Sequence, residues 1–499
     1  MLEPTLHGGT GDRQAEKSCH RESPPDTDGV SYHAEYSEVG KAHYRGKDVT
    51  EVRSPHRQLL PDTVGPEDQK PTSLRGRANK AQADKRHRFR DLYRCLDAEL
   101  LLDCWQDLNK EAASGVDHVT ADAYAANLQG NIEALVQRLK TKRYRAKLVR
   151  RCDIPKANGT ERPLGIPALE DKLVQLGCAK LLTAIYEQDF LDCSYGYRSG
   201  RGALDAVRDL TFDLQYGRYG SLVEADIQGF FDHMDPTWLL DMLRLRIDDR
   251  AFLHLIRTWL KARILDTDGQ VVHPETGTPQ GGTVSPVLAH VYLHYALDLW
   301  FEKVVKPRCR GEALLCRYAD DWVCAFRLQE DAERFFRVLP KRLEKFNLQV
   351  APEKTHLRRF SRFHPSKKRR FTFLGFEFSW MPDRHGVPRV MRRTARKKLQ
   401  AACQRLTEWI KQHRHLPGRE FFQRLNARLR GHYNYYGVRG NSRSLNRFFN
   451  WAMDCTFKWL NRRGGKQSSY TWEQFTRVLD RVKIARPRIT EVPRRRVFA

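Results

Sequence analysis

The sequence has no long run of apolar residues. About 20 consecutive apolar residues are needed to span a bilayer, and no stretch of the 499-residue chain approaches that length. The N-terminus also lacks the apolar segment of a secretory signal peptide. These absences argue against a membrane or secreted protein and predict a cytoplasmic one.

Paired cysteine motifs are missing as well. The eleven cysteines are an odd number, and no two of them have Cys-x-x-Cys spacing, so neither a zinc knuckle nor a disulfide framework is predicted. The glycines of segment 195–203 do not form a phosphate-binding loop, because no Gly-Lys-Ser or Gly-Lys-Thr follows them.

Acidic residues are fewer than basic residues. The chain has 61 Asp and Glu residues against 88 Lys and Arg residues, which leaves a formal net charge of +27. Such an excess predicts a polyanionic partner, with nucleic acid as the first candidate and an anionic membrane surface as the second.

Apolar periodicity is absent from residues 1–79, which are rich in Pro, Gly, Ser, Asp, Glu and His. Such a segment buries too little apolar surface to offset its ordering entropy, so we predict that it is disordered.

Two local predictions concern the segments after residue 330. Segment 371–378 alternates as one strand, and Pro340 is expected to kink or divide the helical pattern of residues 335–346.

The most informative segment is 314–326, an apolar run interrupted by the adjacent acids Asp320 and Asp321. The apolar residues are typical of two short strands, with Tyr-Ala-Asp-Asp as the turn between them. Neighbouring carboxylates raise each other's pKa, so both stay ionised at neutral pH only if a cation lies between them. Their hard oxygen ligands favour Mg²⁺. Taken alone, however, an Asp-Asp pair is more often the turn of a surface hairpin.

A third acid, Asp226, ends the strand-like segment 221–226. It lies 320 − 226 = 94 positions before Asp320, so only a shared sheet could bring the two carboxylates together. Three such acids predict a site for two Mg²⁺ ions that catalyses phosphoryl transfer. One ion would activate an attacking 3′ hydroxyl and the other would stabilise the leaving pyrophosphate.

Three segments together resemble the reverse transcriptases encoded by bacterial group II introns: Tyr-Ala-Asp-Asp at 318–321, Ala-Asp-Ile at 225–227 and Gly-Thr-Pro-Gln-Gly-Gly-Thr-Val-Ser-Pro at 277–286. Similar segments continue from about Arg88 to Thr490. The resemblance implies an α+β right-hand polymerase, with fingers and palm over residues 80–385. It also implies a helical thumb, the maturase domain X, over residues 386–499.

The resemblance further implies an RNA-directed DNA polymerase that transfers nucleotides from dNTPs to a primer 3′ hydroxyl on an RNA template. In this family Asp226, Asp320 and Asp321 would hold the two Mg²⁺ ions. The protein would also bind its intron RNA to assist splicing and retrohoming, and it would act on target DNA in a bacterial cytoplasm. The sequence does not indicate an oligomeric state.

Four residues are expected to contact the incoming nucleotide. Lys156 and Arg162 flank an Asn-Gly turn in a predicted hairpin, where the resemblance implies that they bind the triphosphate. On their own, two basic residues on a hairpin are typical of a solvated face. Phe231 would exclude a 2′ hydroxyl unless it is an ordinary core phenylalanine, and Gln280 would contact the nascent base pair.

Basic residues in four segments are expected to bind the nucleic-acid backbone. The segments are the loop at 195–203, the motif at 348–355, the basic run that ends at 370 and the start of the first helix after residue 392. The residues are Arg198, Arg201, Lys354, Arg369, Arg370, Arg396 and Lys397.

The sequence departs from the family pattern in two places. His290 stands where the family more often has Asn, and no His- and Cys-rich endonuclease module follows Cys455, so DNA cleavage is not expected. Two alternative functions stay open: an RNA-binding splicing maturase with little polymerase activity, and a reverse transcriptase recruited to host defence or repair.

Overall fold

The computed structural model describes residues 73–155, 161–266, 268–272, 281–363, 369–463 and 469–492. These residues form an α+β arrangement of helices and antiparallel-rich sheets. Lys156 and Gln280 lie outside the described ranges, as does segment 1–72. Within the described ranges, no helix combines the length and apolar character needed to cross a bilayer.

The strands are short and fall into three sheets. They are β1 Val149–Pro155, β2 Glu161–Ile166, β3 Ser194–Tyr195, β4 Ser221–Asp226, β5 Ile264–Leu265, β6 Val271–Val272, β7 Ala313–Tyr318, β8 Asp321–Phe326, β9 His356–Arg359, β10 Arg370–Phe373, β11 Phe376–Pro382 and β12 Pro388–Thr394.

Helices lie between the strands in sequence and make up most of the part of the described chain after β12. The α-helices are α1 Leu74–Ala83, α2 Ala98–Asp107, α3 Ala121–Ala125, α4 Leu128–Lys140, α5 Leu169–Tyr186, α6 Ala203–Tyr216, α7 Phe230–His233, α8 Pro236–Arg244, α9 Arg250–Leu260, α10 Ser285–Leu293, α11 Lys306–Arg308, α12 Gln329–Glu344, α13 Arg396–His413, α14 Gly418–Tyr436, α15 Ser442–Leu460 and α16 Trp472–Arg481. Two π-helical segments, His294–Asp298 and Phe301–Val305, follow α10.

The largest of the three sheets, which we call the central sheet, has five strands in the order β3-β7-β8-β4-β9. Strands β7 and β8 form the predicted hairpin, with Tyr318 paired to Asp321 across the turn. Strand β4 runs antiparallel to β8, and Asp226 is the register partner of Asp321. The prediction that Asp226 shares a sheet with the Asp-Asp pair is therefore confirmed.

The central sheet is covered on both faces, because its apolar side chains alternate between two cores. The larger core contains Val223, Leu315, Trp322, Cys324 and Phe326. The smaller core contains Leu222, Cys316, Val323 and Ala325, together with α6 and the strands β10 to β12. Burial on both faces explains why these strands appear in the sequence as continuous apolar runs.

A second sheet, in the order β2-β1-β5-β6, contains the antiparallel pair β1–β2 of the predicted hairpin; its Asn-Gly segment lies outside the described residues. Gly281 lies against this hairpin: a Cβ at position 281 would lie 2.3 Å from the Gly165 carbonyl oxygen, and its φ of +119° also favours glycine. Nearby, the Thr283 amide donates to the buried Gln175 side chain at 2.8 Å. The glycines after Gln280 therefore allow this loop to approach β2 closely.

The prediction of one strand over 371–378 is wrong, and so is a division of the helix at Pro340. Segment 371–378 is a hairpin of β10 and β11 and not one strand, because Leu374 and Gly375 both adopt positive φ values, which form a tight two-residue turn. Helix α12 continues through Pro340 without dividing. Leu339 and Leu343 are buried on its inner face, and this packing keeps the helix in one piece.

Helices α13 to α16 enclose a separate apolar core. The predicted boundary at residue 385 falls within the β11–β12 hairpin, so the sheet continues to Thr394 and the helices begin at Arg396. The sheet and helices are joined by polar contacts. The Tyr435 hydroxyl donates to the Leu374 carbonyl at 2.8 Å, and Asn441 exchanges two hydrogen bonds with Thr394.

Glu491 strengthens the same junction. Its carboxylate accepts two hydrogen bonds from the Arg392 guanidinium at 2.6 and 2.8 Å, and a third from the Arg439 amide at 2.8 Å. The Arg392 and Glu491 side chains are only 7% and 12% exposed. A bidentate pair in this setting resists solvent competition and anchors the C-terminal segment to β12.

We predict that Glu491→Gln lowers the free energy of unfolding by about 3 kcal/mol, because the Arg392 charge would be left buried without its partner. Denaturant unfolding followed by circular dichroism measures this loss. Asp480→Asn is the matched control: its carboxylate also pairs with an arginine of the C-terminal segment, but that pair is largely exposed. Equal stability losses in both variants would contradict the prediction.

Candidate active site

Three aspartates lie at one end of the central sheet. Asp226 ends β4, Asp321 begins β8 opposite it, and Asp320 occupies the turn between β7 and β8. Directly paired residues in antiparallel strands have Cα atoms roughly 4.5–5.5 Å apart, so the first two acids are close neighbours. Asp226 is 5% exposed, whereas Asp320 and Asp321 are half-buried.

The loop after β3 lies beside this turn. Strand β3 runs parallel to β7, with Tyr195 paired to Tyr318, and Gly196 follows directly. A Cβ at Gly196 would lie 2.9 Å from the Ala319 amide nitrogen. Glycine at this position therefore allows the two backbones to come into contact beside the acids.

Lys354 supplies a positive charge to the site. Its ammonium donates to Asp226 Oδ2 at 2.7 Å, and the Lys354 side chain is 57% exposed. The short turn that carries Lys354 is held against the end of β4, because the Ala351 amide donates to the Asp226 carbonyl at 2.8 Å. Lys354, predicted to bind nucleic acid, thus contacts one of the predicted metal ligands directly.

The acids provide a donor set that suits a hard divalent cation. Within the part of the chain that the structure describes, no group of three or more His, Cys, Asp or Glu residues is arranged as a complete metal site. Asp226 and Asp321 nevertheless present carboxylates from adjacent strands. Mg²⁺ is commonly held by one or two carboxylates and completes its shell with substrate phosphates and water. The residues therefore fit such an ion.

Burial changes the acidity of a neighbouring carboxyl group. Glu224 lies two residues before Asp226 on β4, and desolvation raises its pKa, while the Thr372 amide and Arg358 oppose that shift. Its carboxylate accepts from Arg358 at 3.4 Å. Glu224 therefore links β4 to β9 and β10, and it does not belong to the group of three acids.

The predicted nucleotide-binding residues are only partly described. Phe231 lies in α7, the short helix that follows β4. It is half-buried, with its ring edge-to-face against Phe230 at 5.2 Å. Arg162 pairs with Ile154 in the β1–β2 hairpin, but its side chain lies outside what the structure describes, as do Lys156 and Gln280.

Two of the arginines that were predicted to contact nucleic acid bind other residues of the protein instead. The Arg198 side chain is 4% exposed and pairs with Glu187 at 2.7 Å, and it also donates to the Leu191 and Ser194 carbonyls. Arg201 bonds to the side chain and carbonyl of Asp192. Both arginines therefore brace the loop after β3, and Arg198 has no surface to offer a phosphate.

The remaining basic residues lie nearer the surface. Arg370 is exposed and pairs with Glu377 at 3.2 Å, and Arg369 is half-buried beside it. Arg396 and Lys397 are exposed at the start of α13. A helix N-terminus with exposed cations attracts phosphates.

Sequence reasoning did not identify Arg317. This residue lies in β7 and is fully buried, and its guanidinium donates to the Ala319 carbonyl in the Asp-Asp turn at 3.0 Å. The signal was present in the sequence, because a charged residue within an apolar strand is uncommon unless it is paired.

Part of the chain is similar to known proteins. Residues 154–378 match the family "Reverse transcriptase (RNA-dependent DNA polymerase)". The chain is 38% identical over 211 residues to the group II intron-encoded protein LtrA of Lactococcus lactis subsp. cremoris. That match covers 41% of this chain and 34% of LtrA.

Two further relatives extend the comparison. Protein YkfC of Escherichia coli K12 is 33% identical over 239 residues, which covers 42% of this chain and 62% of YkfC. An uncharacterised 91 kDa protein in the cob intron of Schizosaccharomyces pombe is 38% identical over 173 residues, which covers 35% of this chain and 21% of that protein. The chain thus spans less than two thirds of the length of each of these relatives. Residues 154–378 are therefore similar to reverse transcriptases, and the matched relatives include a group II intron-encoded protein.

Proposed function

We propose that this protein is an RNA-directed DNA polymerase that adds nucleotides from dNTPs to the 3′ hydroxyl of a primer on an RNA template. The observation that carries the proposal is the register of the central sheet, which makes Asp226 and Asp321 direct neighbours with Asp320 beside them. The match of residues 154–378 to the reverse transcriptase family supports the same reaction.

In this proposal Asp226, Asp320 and Asp321 hold two Mg²⁺ ions. When bound, the ions would activate the primer hydroxyl and neutralise the pyrophosphate. Asp226 is buried and the other two acids are half-buried, so water would only partly screen their charge from the reacting groups. Lys354 donates to Asp226. Its long, exposed side chain is able to turn towards a triphosphate without a change in the backbone.

The predicted nucleotide contacts complete this proposal. Lys156 and Arg162 would bind the triphosphate from the β1–β2 hairpin, and Gln280 would approach the nascent base pair from the loop that Gly281 brings close to that hairpin. Phe231, half-buried in the helix α7 that follows β4, would lie under the sugar and exclude a 2′ hydroxyl.

We also propose that the helices α13 to α16 form the thumb and bind the template-primer duplex together with intron RNA. The exposed residues Arg396 and Lys397 and the net charge of +27 support a polyanionic ligand. The names of the relatives, which refer to introns, support a role in splicing and mobility of a group II intron. Arg198 is omitted from the proposed nucleic-acid surface because its guanidinium is enclosed by protein.

The first test is replacement of a proposed metal ligand. We predict that Asp321→Asn lowers primer extension on a poly(rA) template by about 10³-fold or more, because a metal-bound carboxylate provides several kcal/mol of transition-state stabilisation. Asp320→Ala should behave in the same way. RNA affinity, measured by filter binding, should stay within a few-fold, and EDTA should abolish extension by the wild type.

Asp232→Asn provides the matched control for this test. Asp232 is an exposed acid six residues after Asp226, and it should keep wild-type activity. If the wild-type protein binds RNA but does not extend primers, the protein is instead a splicing maturase with little polymerase activity. If Asp321→Asn extends primers normally, the assignment of the acids is wrong.

The second test concerns Phe231. We predict that Phe231→Val reduces discrimination against ribonucleotides by about 10- to 100-fold, the range expected for a small steric change in a binding pocket. The measurement is the ratio of kcat/KM for dATP and ATP with the same primer-template. If the ratio is unchanged and the variant is less stable, Phe231 is an ordinary core residue.

A further inference from the structure

A buried polar cluster lies directly beneath the Asp-Asp turn. It contains Arg317 of β7, Asp298 at the end of the first π-helical segment, His290 of α10 and Ser194 of β3, all at most 2% exposed. Four polar residues without access to water require internal partners. The role of this cluster is not explained by the catalytic acids or by nucleic-acid binding.

Arg317 and Asp298 form the centre of the cluster. Arg317 Nε donates to Asp298 Oδ1 at 2.7 Å, and Arg317 Nη2 donates to Asp298 Oδ2. The pair is therefore bidentate, with both side chains completely buried. Such a pair is rarely favourable for stability alone, because its desolvation cost rivals its Coulomb attraction. The balance between desolvation cost and Coulomb attraction therefore points to a role of this pair other than stabilising the fold.

The remaining Arg317 nitrogen contacts the catalytic turn. Arg317 Nη1 donates to the carbonyl oxygen of Ala319 at 3.0 Å. Ala319 precedes Asp320 and has a φ of +53°, a left-handed conformation that is unfavourable for residues other than glycine. A non-glycine residue keeps such a conformation only when its surroundings impose it. The bond from Arg317 supplies such a restraint.

His290 links the cluster to the neighbouring strand. Its Nε2 lies 2.7 Å from the Ser194 hydroxyl and 3.4 Å from Arg317 Nη2. Because a guanidinium only donates, the contact with Arg317 requires Nε2 to be the acceptor, and an imidazole with an unprotonated Nε2 is neutral. Burial and the Arg317 charge lower the pKa of His290 well below its usual value, which agrees with this arrangement. His290 thus stabilises Arg317 without adding charge.

We propose that Arg317 is a positioning residue, held by Asp298 and oriented by His290, which sets the conformation of the turn that carries Asp320 and Asp321. The proposal rests on the polymerase function proposed above. To hold the turn in this way, the side chain at 317 must be planar with three donor nitrogens, and a carboxylate must fix its position. A lysine at 317 could pair with Asp298, but its single nitrogen could not hold both Asp298 oxygens and the Ala319 carbonyl.

The test is Arg317→Lys in the full chain, assayed by steady-state primer extension with purified protein, poly(rA), oligo(dT) and Mg²⁺. We expect kcat to fall by about 10²-fold, the effect of a displacement of about 1 Å at reacting groups. The Mg²⁺ concentration for half-maximal rate should rise. The KM for dTTP and the affinity for RNA should change by less than a few-fold.

A double variant separates positioning from folding. Arg317→Met with Asp298→Leu replaces the buried pair by apolar side chains of similar size, an exchange that is often neutral for stability. We expect it to melt near the wild-type temperature and still to show the roughly 10²-fold loss of kcat. If the double variant has wild-type kcat, or if Arg317→Lys loses less than about twofold, the proposal is wrong.

Arg246→Lys is the matched control. Arg246 is another buried arginine, 3% exposed, which pairs with Asp189 at 3.0 Å and donates to the Ala81 carbonyl at 3.2 Å. None of these bonds reaches the Asp-Asp turn. The Arg246→Lys variant should therefore be less stable than the wild type but keep the wild-type kcat. Failure of the wild type to extend primers would overturn the polymerase function itself, whereas an active wild type with a fully active Arg317→Lys overturns only the positioning role.

Discussion

The antiparallel register between β4 and β8 is the constraint on which the site depends. A slip of one residue would move every side chain of a strand to the opposite face of the sheet. Here that slip would exchange the residues of the two cores, including Trp322 and Val323, which differ greatly in volume. The apolar packing on both faces therefore keeps Asp226 opposite Asp321, although neither acid contributes to that packing.

The acids lie between two cations of different character. Lys354 approaches Asp226 from the solvent side and is more than half exposed, so water and incoming ligands compete for its charge. Arg317 lies below the turn without solvent access, and its charge is neutralised by Asp298. Because the buried pair has no net charge, it orients the turn without neutralising the charge of the acids. The exposed lysine, in contrast, is able to exchange partners. The two interactions thus serve different purposes around one site.

The sequence predicted the parts of the fold that depend on local pattern. The β7–β8 hairpin and the β1–β2 hairpin both form as expected, because turn residues and apolar runs are strong short-range signals. Segment 371–378 was misread because alternation continues through a two-residue turn at Leu374 and Gly375, and only the positive φ values reveal it. Helix α12 passes Pro340 because its buried face outweighs the loss of one backbone hydrogen bond.

The sequence by itself determined the identity of the three acids, the basic character of the chain and its resemblance to a polymerase family, since these are properties of residue type and order. The tertiary structure decided which charged side chains are exposed and which are paired within the protein. It buried Arg198 in a loop, paired Lys354 with Asp226, and enclosed Arg317 and Asp298 together beneath the turn. Burial and pairing depend on residues that are distant in the chain. The apolar strand around Arg317 could therefore indicate that this arginine is paired, but it could not indicate that Asp298 is the partner.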